Sequence, residues 1–219
     1  MKRTLVFLVW AFLVFAPAAG ADETSGTPPL SGEGPLVIHG TLVLLDVSKI
    51  DGADQSFTAD IFLLLQWHDE RLASPVDGVR RAPLDSVWNP RVQIINQRRI
   101  WKTFPESVDI APDGTVSYRQ RYYGQFASPL DLRDFPLDRH RFSVHLVVPG
   151  YTPDEIQLVA DTETFESFRT SGMSIPDWTI SEFENHSKPW SIVTGGRQLA
   201  GLEGSFLARR HLGFYIGKA

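Results

Sequence analysis

One segment constrains the fold more than any other part of the chain: the fifteen residues from Ser128 to Phe142, SPLDLRDFPLDRHRF. It places two prolines and three leucines, including those of a Phe-Pro-Leu-Asp turn, between two strand-like runs. A bond between an aromatic residue and proline is a candidate for the cis form, and Phe135-Pro136 is such a bond. We therefore predict that this connection folds into a tight, preorganised loop.

The N-terminus has the pattern of an export signal. Lys2 and Arg3 precede an apolar run at residues 5–15, and Ala19-Gly20-Ala21 then supplies a cleavage site of the Ala-x-Ala type. The apolar run is too short for a membrane span, which needs about 20 residues. We predict a signal peptide at residues 1–21, followed by a flexible leader rich in Pro, Gly, Ser and Thr at residues 22–35.

Charge and cysteine content narrow the classes of function. The chain has a formal net charge of -5 at pH 7 and contains no cysteine. An acidic chain is a poor partner for nucleic acid, so we predict none. An exported chain without disulfides must be held together by its hydrophobic core. The remaining length suits one sizeable domain, which we place at residues 36–211.

Alternating apolar and polar residues predict β-strands. Alternate positions of residues 57–67 and of residues 142–148 are apolar and fall on one face of an extended strand, although Phe62 and Leu64 interrupt the polarity of the other face in the first run. Two shorter runs flank the turn sequence Pro112-Asp-Gly114, which predicts a hairpin. Trp178 and Phe206 begin two further predicted strands, and no long stretch shows a helical stripe. The predicted fold class is therefore all-β: an immunoglobulin-like β-sandwich of about ten strands with Greek-key connections.

Several short motifs follow one another in a fixed order. They are Trp67-His-Asp69 with Arg71-Leu72, Trp88-Asn-Pro90 with Asn96, Pro112-Asp-Gly-Thr-Val116, the segment 128–142, Trp178, and Arg209-Arg210 before Phe214-Tyr215-Ile216. Together they resemble the Cys-loop receptor family of pentameric ligand-gated ion channels, and most closely its cysteine-free prokaryotic branch. In that family two cysteines bracket a thirteen-residue loop that contains Phe-Pro-x-Asp. Here Ser128 and Phe142 hold the bracketing positions.

The resemblance implies a function and a location. The chain would be the extracellular ligand-binding domain of a homopentameric channel in the inner membrane, facing the periplasm and binding a small molecule or protons between subunits. Residues 212–219 would then begin the first transmembrane segment. No segment after the signal peptide is long and apolar enough to span a membrane, so two interpretations remain open. The chain is either a fragment of a channel or a soluble periplasmic binding protein of the same fold.

A secreted β-sandwich hydrolase or carbohydrate-binding module is a third class. The sequence contains no nucleophile elbow, no phosphate-binding loop and no dinucleotide fingerprint, and its six histidines lack metal-ligand spacing. We therefore predict that the chain is not an enzyme and uses no metal or cofactor.

The resemblance also implies which residues couple binding to the pore. Asp138, in the turn formed by Phe135 and Pro136, would meet Arg210, and Asp51 or Asp54 would join them in an Asp–Arg–Asp cluster. Arginine suits this position because its planar fork can bridge two carboxylates. The alternative is an ordinary surface ion pair, which contributes about 0–1 kcal/mol.

The ligand-binding residues implied by the resemblance lie at a subunit interface. Phe62 matches an aromatic residue of the complementary face, Tyr151 follows the second ligand-binding loop, and Trp190 begins the third. Arg121 would meet an anionic ligand at the interface, or would be a solvated or ion-paired strand residue. The aromatic cage of amine receptors is incomplete, so a choline-like agonist is not expected.

Proton gating needs acids or histidines whose pKa values lie near the working pH. The candidates by location are Asp51, Asp54, Asp138, Glu182, Glu184 and His186. Gln55 stands where a close proton-gated relative carries an acid, and this difference argues against transferring that mechanism unchanged.

Overall fold

A computed structural model describes residues 26–30, 34–161 and 173–211 of the chain. The longer strands are β1 (Leu36–Asp51), β2 (Ser56–His68), β3 (Arg80–Pro83), β5 (Gln97–Lys102), β6 (Ser107–Ile110), β7 (Thr115–Ala127), β8 (Arg139–Val147), β9 (Ile156–Ala160), β10 (Trp178–Ser187) and β13 (Gly201–Arg210). Three strands have two residues each, namely β4 (Gln93–Ile94), β11 (Trp190–Ser191) and β12 (Gln198–Leu199). Two short 3-10 helices lie at Glu70–Leu72 and Leu84–Ser86.

The strands form two main sheets. The first has the order β3-β6-β7-β2-β1-β9, with β5 also pairing with β7, and the second has the order β10-β13-β8-β4. A separate hairpin consists of β11 and β12. No two neighbours in the second sheet are consecutive in the chain, which is the order that Greek-key connections produce. The predicted all-β sandwich is confirmed.

The two alternating runs and the Pro112-Asp-Gly114 turn of the sequence correspond to strands of the structure. β2 and β8 cover the two alternating runs, and β6 and β7 form the hairpin around Pro112-Asp-Gly114. Gly114 has a φ of +89° at this turn, and a Cβ there would lie only 2.5 Å from the backbone oxygen of Asp69. Glycine is therefore required both for the left-handed backbone and for the close approach to the end of β2.

Four phenylalanines join the two sheets. Phe57 pairs in register with Phe126 in the first sheet, and Phe142 pairs with Phe206 in the second. The ring of Phe57 has centroid distances of 5.2 Å to Phe126, 5.1 Å to Phe142 and 5.5 Å to Phe206. All four rings are completely or almost completely buried. Stacked and edge-on aromatic pairs of this kind hold the sandwich together without a disulfide.

The side-chain amide of Asn185 also joins the sheets. Its Oδ1 accepts a hydrogen bond from the backbone nitrogen of Leu42 (3.2 Å), and its Nδ2 donates to the backbone oxygen of Leu42 (2.9 Å). β9 pairs with β1 only as far as Gly40, so the amide satisfies backbone groups that lie beyond the end of that ladder. A register shift between Ser181 and Glu184 precedes Asn185 on β10.

We expect Asn185→Ala to lower the free energy of unfolding by about 2 kcal/mol, because two buried backbone groups of Leu42 lose their partners. Urea unfolding measures this loss. Ser181→Ala, at an exposed position of the same strand, should stay within about 0.5 kcal/mol of the wild type. Equal midpoints for the wild type and Asn185→Ala would show that the amide contributes nothing.

The ends of the chain are only partly described. The predicted signal peptide and the predicted start of a transmembrane segment at residues 212–219 lie outside the described residues. Part of the predicted leader is described, and there Arg71 donates to the hydroxyl (3.2 Å) and the backbone oxygen (3.0 Å) of Thr27. Arg71 also binds both carboxylate oxygens of buried Asp69 at 2.8 Å. Among the described residues, no helix has the length and apolar character needed to cross a membrane.

Candidate functional site

Asp138 and Arg210 form a buried ion pair at one end of the second sheet. Arg139 and Arg209 are register partners in β8 and β13, so the two residues next to them are brought together. Arg210 Nε donates to Asp138 Oδ1 at 2.7 Å and Arg210 Nη2 donates to Asp138 Oδ2 at 2.9 Å. Asp138 is 2% exposed, so the pair is not the ordinary surface ion pair considered as the alternative.

Three further side chains enclose this ion pair. His140 Nε2 lies 2.8 Å from Asp138 Oδ2. The Arg210 guanidinium carbon lies 4.0 Å from the ring centroid of Trp178 and 5.0 Å from that of Phe135, which are cation–π distances. We refer to these five residues as the Asp138–Arg210 cluster. The role of His140 was not predicted, because nothing in its local pattern indicates a partner.

The charges of the cluster fix the protonation state of Asp138. Hydrogen bonds from Arg210 lower the pKa of its carboxyl to about 2, and the contact with His140 acts in the same direction, while burial opposes both. Asp138 is therefore ionised throughout the neutral and mildly acidic range. Protonation of Asp138 is not a means of sensing pH in that range.

The structure gives Asp51 and Asp54 other partners than Arg210. Asp51 pairs with Lys49 at 2.8 Å and accepts the backbone N–H of Asp54 at 3.0 Å. Asp54 pairs with Arg98 at 2.9 Å. Of the expected Asp–Arg–Asp cluster, the structure shows the contact between Asp138 and Arg210. The acids of the turn between β1 and β2 instead pair with side chains of β1 and β5.

Gln55 connects that turn to the loop that begins at Ser128. Its Oε1 accepts from the backbone nitrogen of Leu130 at 2.6 Å, and its Nε2 donates to the backbone oxygen of Gly52 at 2.6 Å. Its own backbone oxygen accepts from the nitrogen of Ser128 at 2.9 Å. Gln55 has a φ of 50°, a conformation that most side chains avoid. One residue therefore joins the two loops that the resemblance assigns to coupling.

The loop from Ser128 to Phe142 has the geometry that its prolines indicate. The Phe135-Pro136 peptide bond is cis, as predicted. At the ends of the loop, Ser128 is buried and Phe142 is fully buried in the aromatic core. Phe135 is half exposed, with one face available to Arg210. The two bracketing positions are thus occupied by packed residues in place of cysteines.

Phe62 and Arg121 lie side by side on the outer face of the first sheet. They are register partners in β2 and β7. Phe62 packs edge-on against Phe104, with centroids 6.2 Å apart. Arg121 Nε donates to both carboxylate oxygens of Asp60, at 2.9 and 3.1 Å. Arg121 is therefore the ion-paired strand residue given as the alternative, and an anionic ligand would have to compete with Asp60.

Tyr151 and Trp190 both adjoin the segment of Leu199 and Ala200 that leads from β12 into β13. The backbone oxygen of Tyr151 accepts from Ala200, and the neighbouring Leu199 is the register partner of Trp190. Tyr151 packs edge-on against buried Trp88, with centroids 6.4 Å apart. The four predicted ligand-binding residues thus form two separate pairs on this subunit.

The remaining proton-binding candidates cluster around Arg141 on the outer face of the second sheet. Glu182 and Glu184 have oxygens 2.6 Å and 3.6 Å from its guanidinium nitrogens. His186 Nε2 lies 3.1 Å from Glu184. These side chains are largely exposed, so solvent screens their interactions.

The class of protein that carries this site follows from sequence comparison. Residues 23–195 match the model of the neurotransmitter-gated ion-channel ligand binding domain, and the chain belongs to that family. The family is one of ligand-gated channels and not of enzymes.

Two relatives illustrate the range of the family. A proton-gated ion channel of Gloeobacter violaceus is 28% identical over 204 residues, covering 91% of this chain and 56% of the relative. The gamma-aminobutyric acid receptor subunit beta-4 of Gallus gallus is 25% identical over 199 residues, covering 86% of this chain and 40% of the relative. The chain thus spans about half the length of the curated relatives that it matches.

Proposed function

We propose that this chain is the periplasmic ligand-binding domain of a homopentameric channel in the inner membrane, reached by an export signal. A small molecule or protons, bound between subunits, would move the domain, and the Asp138–Arg210 cluster would pass this movement to a membrane pore. The single observation that carries the proposal is the buried pair itself, since it joins the loop of residues 128–142 to the last residue of β13.

The arrangement of β13 supports this mechanism. The β11–β12 hairpin, which contains Trp190, leads through Ala200 directly into β13. The ten residues of β13 span about 34 Å in an extended conformation and end at Arg210. β13 pairs along its length with both β8 and β10. A displacement of the hairpin therefore reaches Arg210 through one continuous, laterally paired strand.

A chimera tests the proposal. Residues 1–211 of this chain are joined to the pore domain of the Gloeobacter proton-gated channel and placed in liposomes. We expect a pentameric particle and a current that opens on acidification or on addition of a small-molecule ligand. Asp138→Ala should reduce the current at least tenfold while the particle mass stays that of a pentamer.

Asp131→Ala is the matched control, since Asp131 lies in the same loop but pairs with exposed Arg133 at its surface. It should leave the current within twofold of the wild type. If the Asp138→Ala chimera gave currents as large as those of the wild-type chimera, Asp138 would have no role in coupling. A wild-type chimera that forms pentamers but never opens would argue against the proposed channel function.

A further inference from the structure

His145 occupies an unusual position at the base of the β11–β12 hairpin. Its Nδ1 is buried and lies 2.9 Å from Glu203 Oε2, yet it makes no hydrogen bond of acceptable geometry. Glu203 is the register partner of His145 on β13. A buried ring nitrogen beside a carboxylate, but not bonded to it, gains a partner when the ring acquires a proton.

Lys188, which lies two residues before the hairpin, and Trp190, its first residue, complete the group. Lys188 Nζ lies 2.6 Å from the same Glu203 oxygen. The ring of Trp190 lies 4.7 Å from the His145 ring, centroid to centroid, with an interplanar angle of 35°. A charged imidazolium at this distance is attracted to the indole face. His145, Lys188, Trp190 and Glu203 are referred to as the His145 group.

The other neighbours of His145 add little charge. His186 is the register partner of Glu203 on the other neighbouring strand, β10, and its exposed side chain pairs with Glu184. From the edge of the second sheet, Asn96 accepts the backbone N–H of His145 and is neutral. Burial lowers the pKa of His145, the Glu203 carboxylate raises it, and the Lys188 ammonium lowers it. Burial is the largest of these effects, and the net result is a pKa below the ordinary value of 6.5. The ring is therefore neutral at pH 7 and becomes charged on acidification.

We propose that His145 is a proton-binding site that links the position of the β11–β12 hairpin to pH. On acidification, His145 Nδ1 donates to Glu203 and the charged ring is attracted to Trp190. Glu203 is then shared between two cations, which weakens its contact with Lys188. Because Lys188 lies two residues before the hairpin and Trp190 is its first residue, both changes act on its base. An effect on gating rests on the proposed function above, whereas proton binding by His145 does not.

Two measurements on the purified 219-residue chain test the site. The first is histidine ring NMR between about pH 8 and about pH 4, and the second is tryptophan fluorescence over the same range, since a protonated imidazole quenches a neighbouring indole. We expect one histidine to titrate with the same midpoint as a fluorescence decrease. His145→Gln should remove both signals, and Trp190→Phe should remove only the fluorescence decrease.

Two conservative variants should shift the midpoint in opposite directions. Glu203→Gln removes the stabilising anion and should lower the midpoint by about one pH unit. Lys188→Met removes the competing cation and should raise it. His186→Gln, at an exposed position of the neighbouring strand, is the control and should leave the midpoint unchanged. A fluorescence decrease that persists in His145→Gln, or a midpoint that neither Glu203→Gln nor Lys188→Met moves, would overturn the proposal.

The link to gating is tested separately in the chimera described above. We expect His145→Gln to shift the pH at which the chimera opens. If the isolated chain titrates as expected and the His145→Gln chimera opens at the wild-type pH, the proton site stands and its role in gating is wrong. If no chimera opens, the proposed function fails, and the NMR result on the isolated chain still decides the proton site.

Discussion

Arg210→Ala is expected to lower the free energy of unfolding by about 3 kcal/mol and to abolish currents in the chimera. The substitution leaves the Asp138 carboxylate buried without its arginine, and removing one partner of a buried ion pair is strongly destabilising. It also removes the cation held between Phe135 and Trp178. His140 remains beside Asp138, which places the expected loss at the lower end of the usual range. Urea unfolding and current recordings provide the two measurements.

Arg209→Ala is the control, because Arg209 precedes Arg210 on β13 and its side chain is exposed. We expect its stability to stay within about 0.5 kcal/mol of the wild type. Arg210→Lys keeps the charge but loses the planar fork that binds both carboxylate oxygens, so we expect an intermediate loss. A stability of Arg210→Ala equal to that of Arg209→Ala would show that the pair contributes no net stabilisation.

The same pair predicts a dependence of stability on pH. The pKa of Asp138 is about 2 in the folded protein against an ordinary 3.8, a difference that corresponds to about 2 kcal/mol. Because the folded-state pKa is the lower one, this stabilisation is present above about pH 4 and is lost as the pH falls towards about 2. The free energy of unfolding of Arg210→Ala should therefore fall less than that of the wild type between about pH 4 and about pH 2, as urea unfolding at each pH would measure.

Phe142→Ala is expected to lower the free energy of unfolding by about 4 kcal/mol. The ring is fully buried and contacts both Phe57 across the sandwich and Phe206 in its own sheet, so its removal leaves a cavity between the sheets. Thermal and urea unfolding measure the loss. Phe142 holds one of the two bracketing positions of the loop, which the resemblance assigns to cysteines in the disulfide-containing members of the family.

Phe104→Ala is the comparison for that variant, since its ring is 40% exposed and contacts Phe62 on the outer face. Phe104→Ala should lower the free energy of unfolding by about 1 kcal/mol. If Phe142→Ala is no more destabilised than Phe104→Ala, the aromatic core does not take the place of a cross-link.

The features that were predictable from the sequence have local causes. The cis bond follows from Phe135-Pro136, the β6–β7 hairpin from Pro112-Asp-Gly114, and β2 and β8 from apolar residues at alternate positions. The Asp138–Arg210 contact is implied by the family resemblance, and adjacency in the β8–β13 ladder places the two residues together. Each of these needed only neighbouring residues or one established pattern.

The features that were not predicted depend on distant strands. β1 contains the continuous apolar run of residues 42–45, which hides its alternation, and two register shifts with β2 interrupt the rest of the strand. Asp51 and Asp54 lie beyond these shifts, and Arg98, the partner of Asp54, comes from the distant strand β5. His145 meets Glu203 and Trp190 only because β8 pairs with β13 and the hairpin folds back beside them. No local pattern marks such a contact.

Gln55 has a consequence for any response of this domain to acid. An amide neither gains nor loses a proton in the range where carboxylates and imidazoles titrate. Its hydrogen bonds to Gly52 and Leu130 therefore keep the same strength as the pH changes, while those of an acid in its place would not. This junction between the two loops is therefore held together in the same way at neutral and at acidic pH. A response of the domain to acid has to begin at groups that titrate, such as the proposed site at His145.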